Sequence, residues 1–205
     1  MFVEFLHNNL TQKKKTDMKK FGNIAIAAAT TLLLMSCGGI GSHPATADGF
    51  AAIEKDLKSE FGENAYYTDL SISYDESIGN MFNVTVTKEP ESLKMGEWTY
   101  IQAAWTQSSE VTLEIPEGSK AADFMFQLND KINLKKLGEL VELSIEKLKA
   151  EKNIESPTLD MAFIKFPDNG DMNKAEYTVM LEPKNGGTTF SFYYSLAGEL
   201  RTMDY

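Results

Sequence analysis

Residues 48–87, DGFAAIEKDLKSEFGENAYYTDLSISYDESIGNMFNVTVT, decide the fold, because their apolar positions change from a helical period to a period of two. The first part has helical spacing, with Asp48 placed to cap a helix and Gly62 placed to end it. The second part alternates apolar and polar residues, which is typical of strands with one buried face. This stretch therefore predicts a helix followed by strands, with its apolar positions at Phe50, Ile53, Leu57, Phe61, Leu70, Ile72, Tyr74, Phe82, Val84 and Val86.

The same order of elements returns near the C-terminus. Asn133 can cap a helix over residues 134–152, whose apolar residues lie on one face. Residues 116–133 carry both helical and alternating signals, and Lys120-Ala121-Ala122 favours a helix there. The remaining strand signals cover residues 98–105, 111–115, 159–166, 176–181, 188–196 and 200–204.

The two halves resemble one unit used twice. Residues 53–60 resemble residues 145–151, and residues 85–90 resemble residues 178–183, at an offset of 91 to 93 residues. A constant offset across helix and strands indicates an internal repeat. We therefore predict an α+β fold in which an antiparallel sheet packs on helices and two tandem helix-plus-four-strand repeats form one domain. The alternative is a single irregular α+β domain; the repeats would cover about 48–115 and about 134–205, joined by 116–133 within a domain of 48–205.

Residues 1–36 have the parts of a secretory signal: a basic start, an apolar stretch over 24–35 and small residues before the cut. Twelve helical residues reach only about 18 Å, short of the roughly 30 Å hydrocarbon core, so the segment is too short for a permanent span. Met18 is a better signal start than Met1, because bacterial signals open with a short basic region. A buried core helix and an ordinary cleaved signal without lipid are the alternatives.

Cys37 is the only cysteine in the chain, and it follows the apolar stretch in Leu34-Met35-Ser36-Cys37. This arrangement resembles a bacterial lipobox, in which the cysteine becomes the lipidated first residue of the mature protein. The resemblance implies membrane attachment through lipid at Cys37. Residues 37–47 would then be the lipidated cysteine and a linker, which its composition of Gly, Ser, Ala and Thr with one Pro predicts to be flexible.

Ser36-Cys37-Gly38 also resembles lipoproteins of the Bacteroidetes group. Surface-exported members of that group tend to carry acidic residues soon after the cysteine, and residues 38–44 contain none. The resemblance therefore implies an outer-membrane lipoprotein whose domain faces the periplasm rather than the cell surface.

Charge and missing motifs exclude several classes of function. Residues 37–205 carry 15 basic and 28 acidic residues, a net charge of −13 that repels nucleic acid and anionic lipid. His43 is the only histidine after the signal, and hydrolase elbows, phosphate loops and zinc pairs are missing from the sequence. We therefore predict a protein that is not an enzyme and uses no cofactor.

A metal site is not predicted either. Asp168, Asn169, Asp171 and Asn173 offer oxygen ligands of the kind that calcium prefers. Their spacing does not match an EF-hand loop, and the same residue types are selected by tight turns. A turn is the favoured interpretation, and calcium is the alternative.

Aromatic strands supply the candidate binding residues. Alternation places Tyr193 on one face of its strand and Phe190, Phe192 and Tyr194 on the other. In the first half it places Trp98 with Tyr100 on one face, and Ile101 with Trp105 on the other. If helices cover one face, exposed aromatics on the other would suit a protein interface, whereas two covered faces would make them core. The candidate residues are Trp98, Tyr100, Trp105, Tyr193 and Tyr194.

A helix followed by antiparallel strands in a secreted lipoprotein resembles the PepSY and β-lactamase-inhibitor-protein-like domains. Residues 190–205, with Ala197-Gly198-Glu199 between two strands, are similar to the strand-glycine-strand ending of that group. The resemblance implies a non-enzymatic binding role on one sheet face. We therefore expect a lipid-anchored cell-envelope module that binds a protein or peptide; the alternative is an inhibitor or immunity lipoprotein that neutralises a basic toxin or enzyme.

Overall fold

The computed structural model describes residues 40–205, so the predicted signal and Cys37 lie outside the described residues. The described chain has two α-helices and one eight-stranded antiparallel sheet, which confirms the predicted α+β class. The elements are α1 (Ala47–Phe61), β1 (Tyr66–Asp75), β2 (Gly79–Thr87), β3 (Lys94–Ile101), β4 (Ala104–Thr112), α2 (Leu134–Lys152), β5 (Pro157–Lys165), β6 (Glu176–Pro183), β7 (Phe190–Ser195) and β8 (Leu200–Asp204).

The sheet order is β4-β3-β2-β1-β5-β6-β7-β8. The first strand after each helix therefore lies at the centre, and each half of the sheet runs outward from there. In the central ladder Leu70 lies opposite Ile164, and Ile72 lies opposite Ala162. This order agrees with the predicted helix-then-four-strands succession, whereas the repeat itself stays a prediction.

Both helices pack on the same face of the sheet, which we call the helix face; the opposite face is the open face. The alternation of β1 and β2 turns every second apolar residue to the helix face, where it joins the main core. The two helices also touch each other closely: a Cβ added at Gly138 of α2 would lie 2.5 Å from the carbonyl oxygen of Thr46. Only glycine permits this approach.

Side-chain oxygens cap both helices. The Thr46 hydroxyl accepts a hydrogen bond from Gly49 N at 3.2 Å, so the predicted cap at Asp48 is wrong and Asp48 lies in the first turn instead. The predicted cap at Asn133 is confirmed, because its side chain accepts from Lys136 N at 2.8 Å. Glu54 of α1 adds a second cap to α2 by accepting from Leu134 N at 2.7 Å.

Residues 98–105 do not form the single strand predicted for them. β3 ends at Ile101, and β4 begins at Ala104. Gln102 and Ala103 make the turn between them with φ angles of 51° and 65°. A two-residue turn of this kind normally contains Gly or Asn, so the usual signal for a hairpin is missing here. The strand predicted over 111–115 is also wrong beyond Thr112.

The helix predicted within residues 116–133 is wrong. The one helical element of this segment is the 3-10 turn Ala121–Phe124, and Phe126 forms an isolated bridge with Tyr67 on β1. Its apolar side chains are used elsewhere: Ala121 and Met125 are buried with Met95 in a small second core, and Phe126 joins the main core. Tertiary burial, rather than helical periodicity, explains their spacing.

The segment just before α1 is packed, contrary to the flexible linker predicted for residues 37–47, of which 40–47 are described. Ile40 is only 7% exposed and belongs to the main core. Asn80 Nδ2 donates to the carbonyl oxygen of His43 at 2.6 Å, and His43 Nε2 lies 3.0 Å from Asp56 Oδ2. The composition of residues 37–47 predicts a mobile linker, and composition alone could not reveal the long-range contacts that hold this segment in place.

Candidate binding surfaces

The structure distributes the five predicted aromatic residues over three environments. Trp98, Tyr100 and Trp105 lie together on the helix face, near the β4 edge of the sheet. Tyr194 is buried beneath α2, and Tyr193 lies half-buried on the open face. The prediction that Trp105 shares a face with Ile101 is wrong, because Trp105 lies opposite Tyr100 across the β3–β4 turn.

Trp98, Tyr100 and Trp105 form one aromatic cluster with Phe61, the last residue of α1. The ring centroid of Phe61 lies 5.7 Å from that of Trp98 and 4.9 Å from that of Trp105, both edge-to-face. Tyr100 lies 5.2 Å from Trp105 and is only 5% exposed. Tyr100 is therefore a core residue and not a contact residue, whereas both tryptophans keep part of their surface in solvent.

A groove of about 400 Å³ opens between the C-terminal end of α1 and strands β2 to β4. We call it the Trp98 groove. A Cβ added at Gly96 would lie 2.4 Å from Trp98 Nε1, so the glycine lets the indole lie flat along its own strand. The groove exists because α1 ends before it covers the outer strands; its lining residues are Glu60, Phe61, Val86, Thr87, Lys88, Gly96, Trp98 and Gln107.

The Trp98 groove combines an apolar floor with polar groups of different kinds. Trp98 supplies most of the apolar surface, over the nearly buried side chains of Phe61 and Val86. Glu60 and Lys88 supply opposite charges, and the Gln107 amide donates to the Ser109 carbonyl oxygen at 3.2 Å. An apolar cavity with a few polar groups is typical of a site that binds a small molecule or one side chain of a partner. Phe61 and Gly96 were missed at the sequence level, because their role depends on where the helix ends.

The corresponding place in the second half is closed. Tyr194 is fully buried, and its hydroxyl shares a 2.7 Å hydrogen bond with the Ser144 hydroxyl of α2. Burial raises the pKa of Tyr194, while the hydrogen bond to Ser144 acts in the opposite direction. The prediction of Tyr194 as a binding residue is therefore wrong, because its ring and hydroxyl are both used inside the protein.

The open face of the first half carries an acidic pair. Thr85 on β2 lies opposite Asp69 on β1 and opposite Glu97 on β3, so both carboxylates flank it on one row. Burial raises the pKa of Asp69, and the negative charge of Glu97 raises it further. The Ser109 hydroxyl donates to Glu97. The two negative charges repel each other, and a bound cation would reduce that repulsion.

The open face of the second half is more apolar. Phe163, Thr178 and Tyr193 lie side by side on β5, β6 and β7. Thr178 is 1% exposed, and its hydroxyl has no hydrogen-bond partner among the described residues. Met161 and Met180 form the next row. Of the predicted aromatic residues, Tyr193 therefore lies on the open face of the second half. Its neighbours Phe163 and Thr178 were not selected from the sequence.

The acidic residues in the 167–175 segment make a turn. Asn169 Oδ1 accepts from Asp171 N at 3.1 Å, and Asp171 Oδ1 accepts from Asn173 N at 3.1 Å. Within residues 40–205, His, Cys, Asp and Glu side chains form no group of three that could hold a metal ion.

Comparison with known proteins finds no match: no family model fits the chain, and neither a curated protein nor a solved structure is significantly similar. Neither α1 nor α2, the helices of the described chain, is long and apolar enough to cross a membrane.

Proposed function

We propose that this protein is a lipid-anchored binding module of the bacterial cell envelope, which recognises a protein or peptide and catalyses no reaction. The observation that carries the proposal is the Trp98 groove, an open cavity with a mixed apolar and polar lining beside a half-exposed tryptophan. The lipobox at Cys37 supports the anchor, and it favours an outer-membrane protein that faces the periplasm.

The size and lining of the Trp98 groove suit one large side chain of a partner. A volume of about 400 Å³ accommodates an aromatic or long aliphatic group. Trp98, held in place by Phe61, provides rigid contact area, which costs little conformational entropy on binding. Glu60 and Lys88 at the same site can orient a polar or charged neighbour in the partner. A peptide with an aromatic residue next to a basic one fits both features.

The proposed duplication of a helix-plus-four-strand unit has support from the strand registers. β1 has a bulge between Tyr67 and Asp69, and β5 has one between Leu159 and Met161, at the same offset of 92 residues. That offset agrees with the 91 to 93 residues of the sequence comparison.

The two tryptophans of the chain provide a direct test, because both lie in the aromatic cluster beside the groove. We suggest panning a phage-displayed peptide library on the purified protein, then titrating enriched peptides while tryptophan emission is recorded. We expect peptides with an aromatic residue, binding that shifts the emission, and an affinity that falls at least about tenfold in Trp98→Ala.

Leu143→Ala is the matched control, because Leu143 is an exposed apolar residue on α2, away from the groove. Enriched peptides that bind Trp98→Ala as tightly as the unchanged protein would contradict the groove as the binding site. Binding that is lost in Tyr193→Ala but kept in Trp98→Ala would move the site to the open face.

The inhibitor or immunity function is a second candidate, and the pair formed by Asp69 and Glu97 favours it. A basic partner would relieve the repulsion of that pair, and the net charge of −13 on residues 37–205 would steer such a partner. Pull-down from envelope extracts at low and high salt separates the two functions. Capture of one basic protein that is lost at high salt and in Glu97→Gln supports this candidate, whereas salt-independent capture contradicts it.

A further inference from the structure

The short distance between Cys37 and the packed part of the chain determines which end of the domain lies nearest the membrane. Ile40 is already part of the core, so only Gly38 and Gly39 separate the cysteine from packed structure. Three residue steps span at most about 11 Å. A lipidated Cys37 would therefore hold the domain against the bilayer, without the long spacer that the composition indicates.

The position of Ile40 in the fold identifies the end concerned. A Cβ added at Gly79 would lie 2.4 Å from the carbonyl oxygen of Gly41, and one added at Gly41 would lie 3.1 Å from a ring carbon of Tyr100. The 40–42 segment thus lies beside the β1–β2 and β3–β4 turns. We call this end of the sheet the anchor end, and the opposite end the far end.

Four of the seven large apolar side chains that are exposed among the described residues lie at the anchor end, and Met172 and Leu200 lie at the far end. Ile78 in the β1–β2 turn is 41% exposed, and Ile101 at the β3–β4 turn is 40% exposed. Tyr74 is 36% exposed near the end of β1, and the C-terminal Tyr205 is 72% exposed. Tyrosines are typical of the membrane interface, and apolar side chains beside them would add buried area there.

We propose that the anchor end rests on the bilayer, with Ile78 and Ile101 in the headgroup region and the strands upright on the membrane. This inference rests on the proposed lipidation of Cys37. It also places the Trp98 groove: Thr87 in the groove is eight residues along β2 from Gly79, which is about 26 Å of strand. The groove therefore opens away from the lipid, where a soluble partner can reach it.

The charges at the anchor end set the lipid preference. Asp75 and Glu76 lie in the turn that carries Ile78, and Lys184 pairs with Glu76 at 2.9 Å. The Lys152 ammonium lies 3.8 Å from the centroid of the Tyr205 ring, and Asp204 precedes Tyr205 in the chain. The acidic side chains favour contact with a zwitterionic surface over a strongly anionic one.

Fluorophores on single introduced cysteines test this orientation in the full lipoprotein, since lipid occupies the only native thiol. The variants are Ile78→Cys and Ile101→Cys at the anchor end. Met172→Cys and Leu200→Cys are matched controls, because these residues are 41% and 39% exposed at the far end. Each protein is reconstituted into phosphatidylethanolamine vesicles that contain a headgroup spin-labelled lipid, which quenches fluorophores near the bilayer surface. The mass of the Cys37 peptide is measured separately to show whether Cys37 carries lipid.

We expect quenching at positions 78 and 101 to exceed quenching at 172 and 200 by about threefold or more. A ten-residue Gly-Ser insertion between Gly39 and Ile40 should remove most of that difference, because such a linker spans about 17 Å. Equal quenching at both ends, with lipid present on Cys37, overturns the orientation and leaves the anchor intact. A Cys37 peptide without lipid overturns both the anchor and the orientation.

Discussion

The two outer regions of the sheet carry aromatic residues in comparable positions, yet one is open and the other is closed. On the β3–β4 side, Trp98 and Trp105 are half-buried and border a groove of about 400 Å³. On the β7–β8 side, Phe192 and Tyr194 are fully buried. Tyr194 lies beneath Ser144, in the middle of α2, whereas the groove begins at Phe61, the last residue of α1. Where the helix lies over an aromatic strand therefore decides whether that strand is half-exposed or core.

The largest expected difference between the two regions is in the loss of stability when Tyr194 or Trp98 is replaced by alanine. Tyr194→Ala should lower the free energy of unfolding by about 3–5 kcal/mol, whereas Trp98→Ala should lower it by only about 1–2 kcal/mol because Trp98 is half-buried. Urea unfolding of both variants measures the difference. Equal losses in the two variants would break the comparison, since Trp98 would then be core as well.

Alkali should destabilise both halves of the sheet, because burial raises the pKa of Tyr67 on β1 as well as that of Tyr177 on β6. Burial raises the pKa of Tyr177 to about 12, although its hydroxyl accepts a hydrogen bond from Asn133 N. Because the folded pKa lies above the ordinary value, this stabilisation is complete below pH 10 and is lost as the pH rises through about 12. The loss amounts to about 2–3 kcal/mol. Urea unfolding across that range should show a flatter pH dependence in Tyr177→Phe, and an unchanged slope would contradict this assignment.

The hydrogen bond between Ser144 and Tyr194 sharpens the comparison, because it belongs to the closed half. Ser144→Ala leaves the buried Tyr194 hydroxyl without its partner on α2. We expect a loss of about 1–2 kcal/mol in stability and no change in peptide binding at the Trp98 groove. Thermal unfolding measures the first effect, and tryptophan emission during a peptide titration measures the second. A change in groove affinity would show that the two halves are energetically coupled.

The smallest expected effect concerns the open face of the first half. The folded pKa of Asp69 is raised above its ordinary value of 3.8, first by burial and then by Glu97, so its charged form destabilises the protein at neutral pH. Asp69→Asn should therefore be slightly more stable than the unchanged protein at pH 7. The gain should vanish once the pH falls below 3.8. A variant less stable at neutral pH would show that the carboxylate has a favourable partner.

The regular elements could be predicted because their periodicity is local. α2 was predicted over its observed residues, and the β7 alternation correctly separated Tyr193 from Tyr194. The β3–β4 turn was missed because Gln102 and Ala103 adopt positive φ without the residues that usually signal it. The helix predicted within 116–133 was wrong because long-range burial determines where those side chains lie.

The candidate site shows the same division. Trp98 could be selected by residue type alone, since exposed aromatics favour binding. Which face of a strand is covered depends on where a distant helix packs, so Tyr100 and Tyr194 were selected although both are core. Phe61 and Gly96 gave no local signal. Phe61 borders the groove only because α1 ends there, and Gly96 matters only because it has no side chain to displace the Trp98 indole.

The outer strands of the sheet each contain a bulge, which would matter for a protein tethered to a membrane through the proposed lipid on Cys37. In β4 the extra residue is Ser108, between the partners of Trp98 and Glu97, and in β8 it is Arg201. Tethering confines molecules to two dimensions, where two exposed edge strands would meet often. A bulge interrupts the regular row of N–H and C=O groups that edge-to-edge pairing requires. Both bulges would therefore oppose edge-to-edge pairing between tethered neighbouring copies.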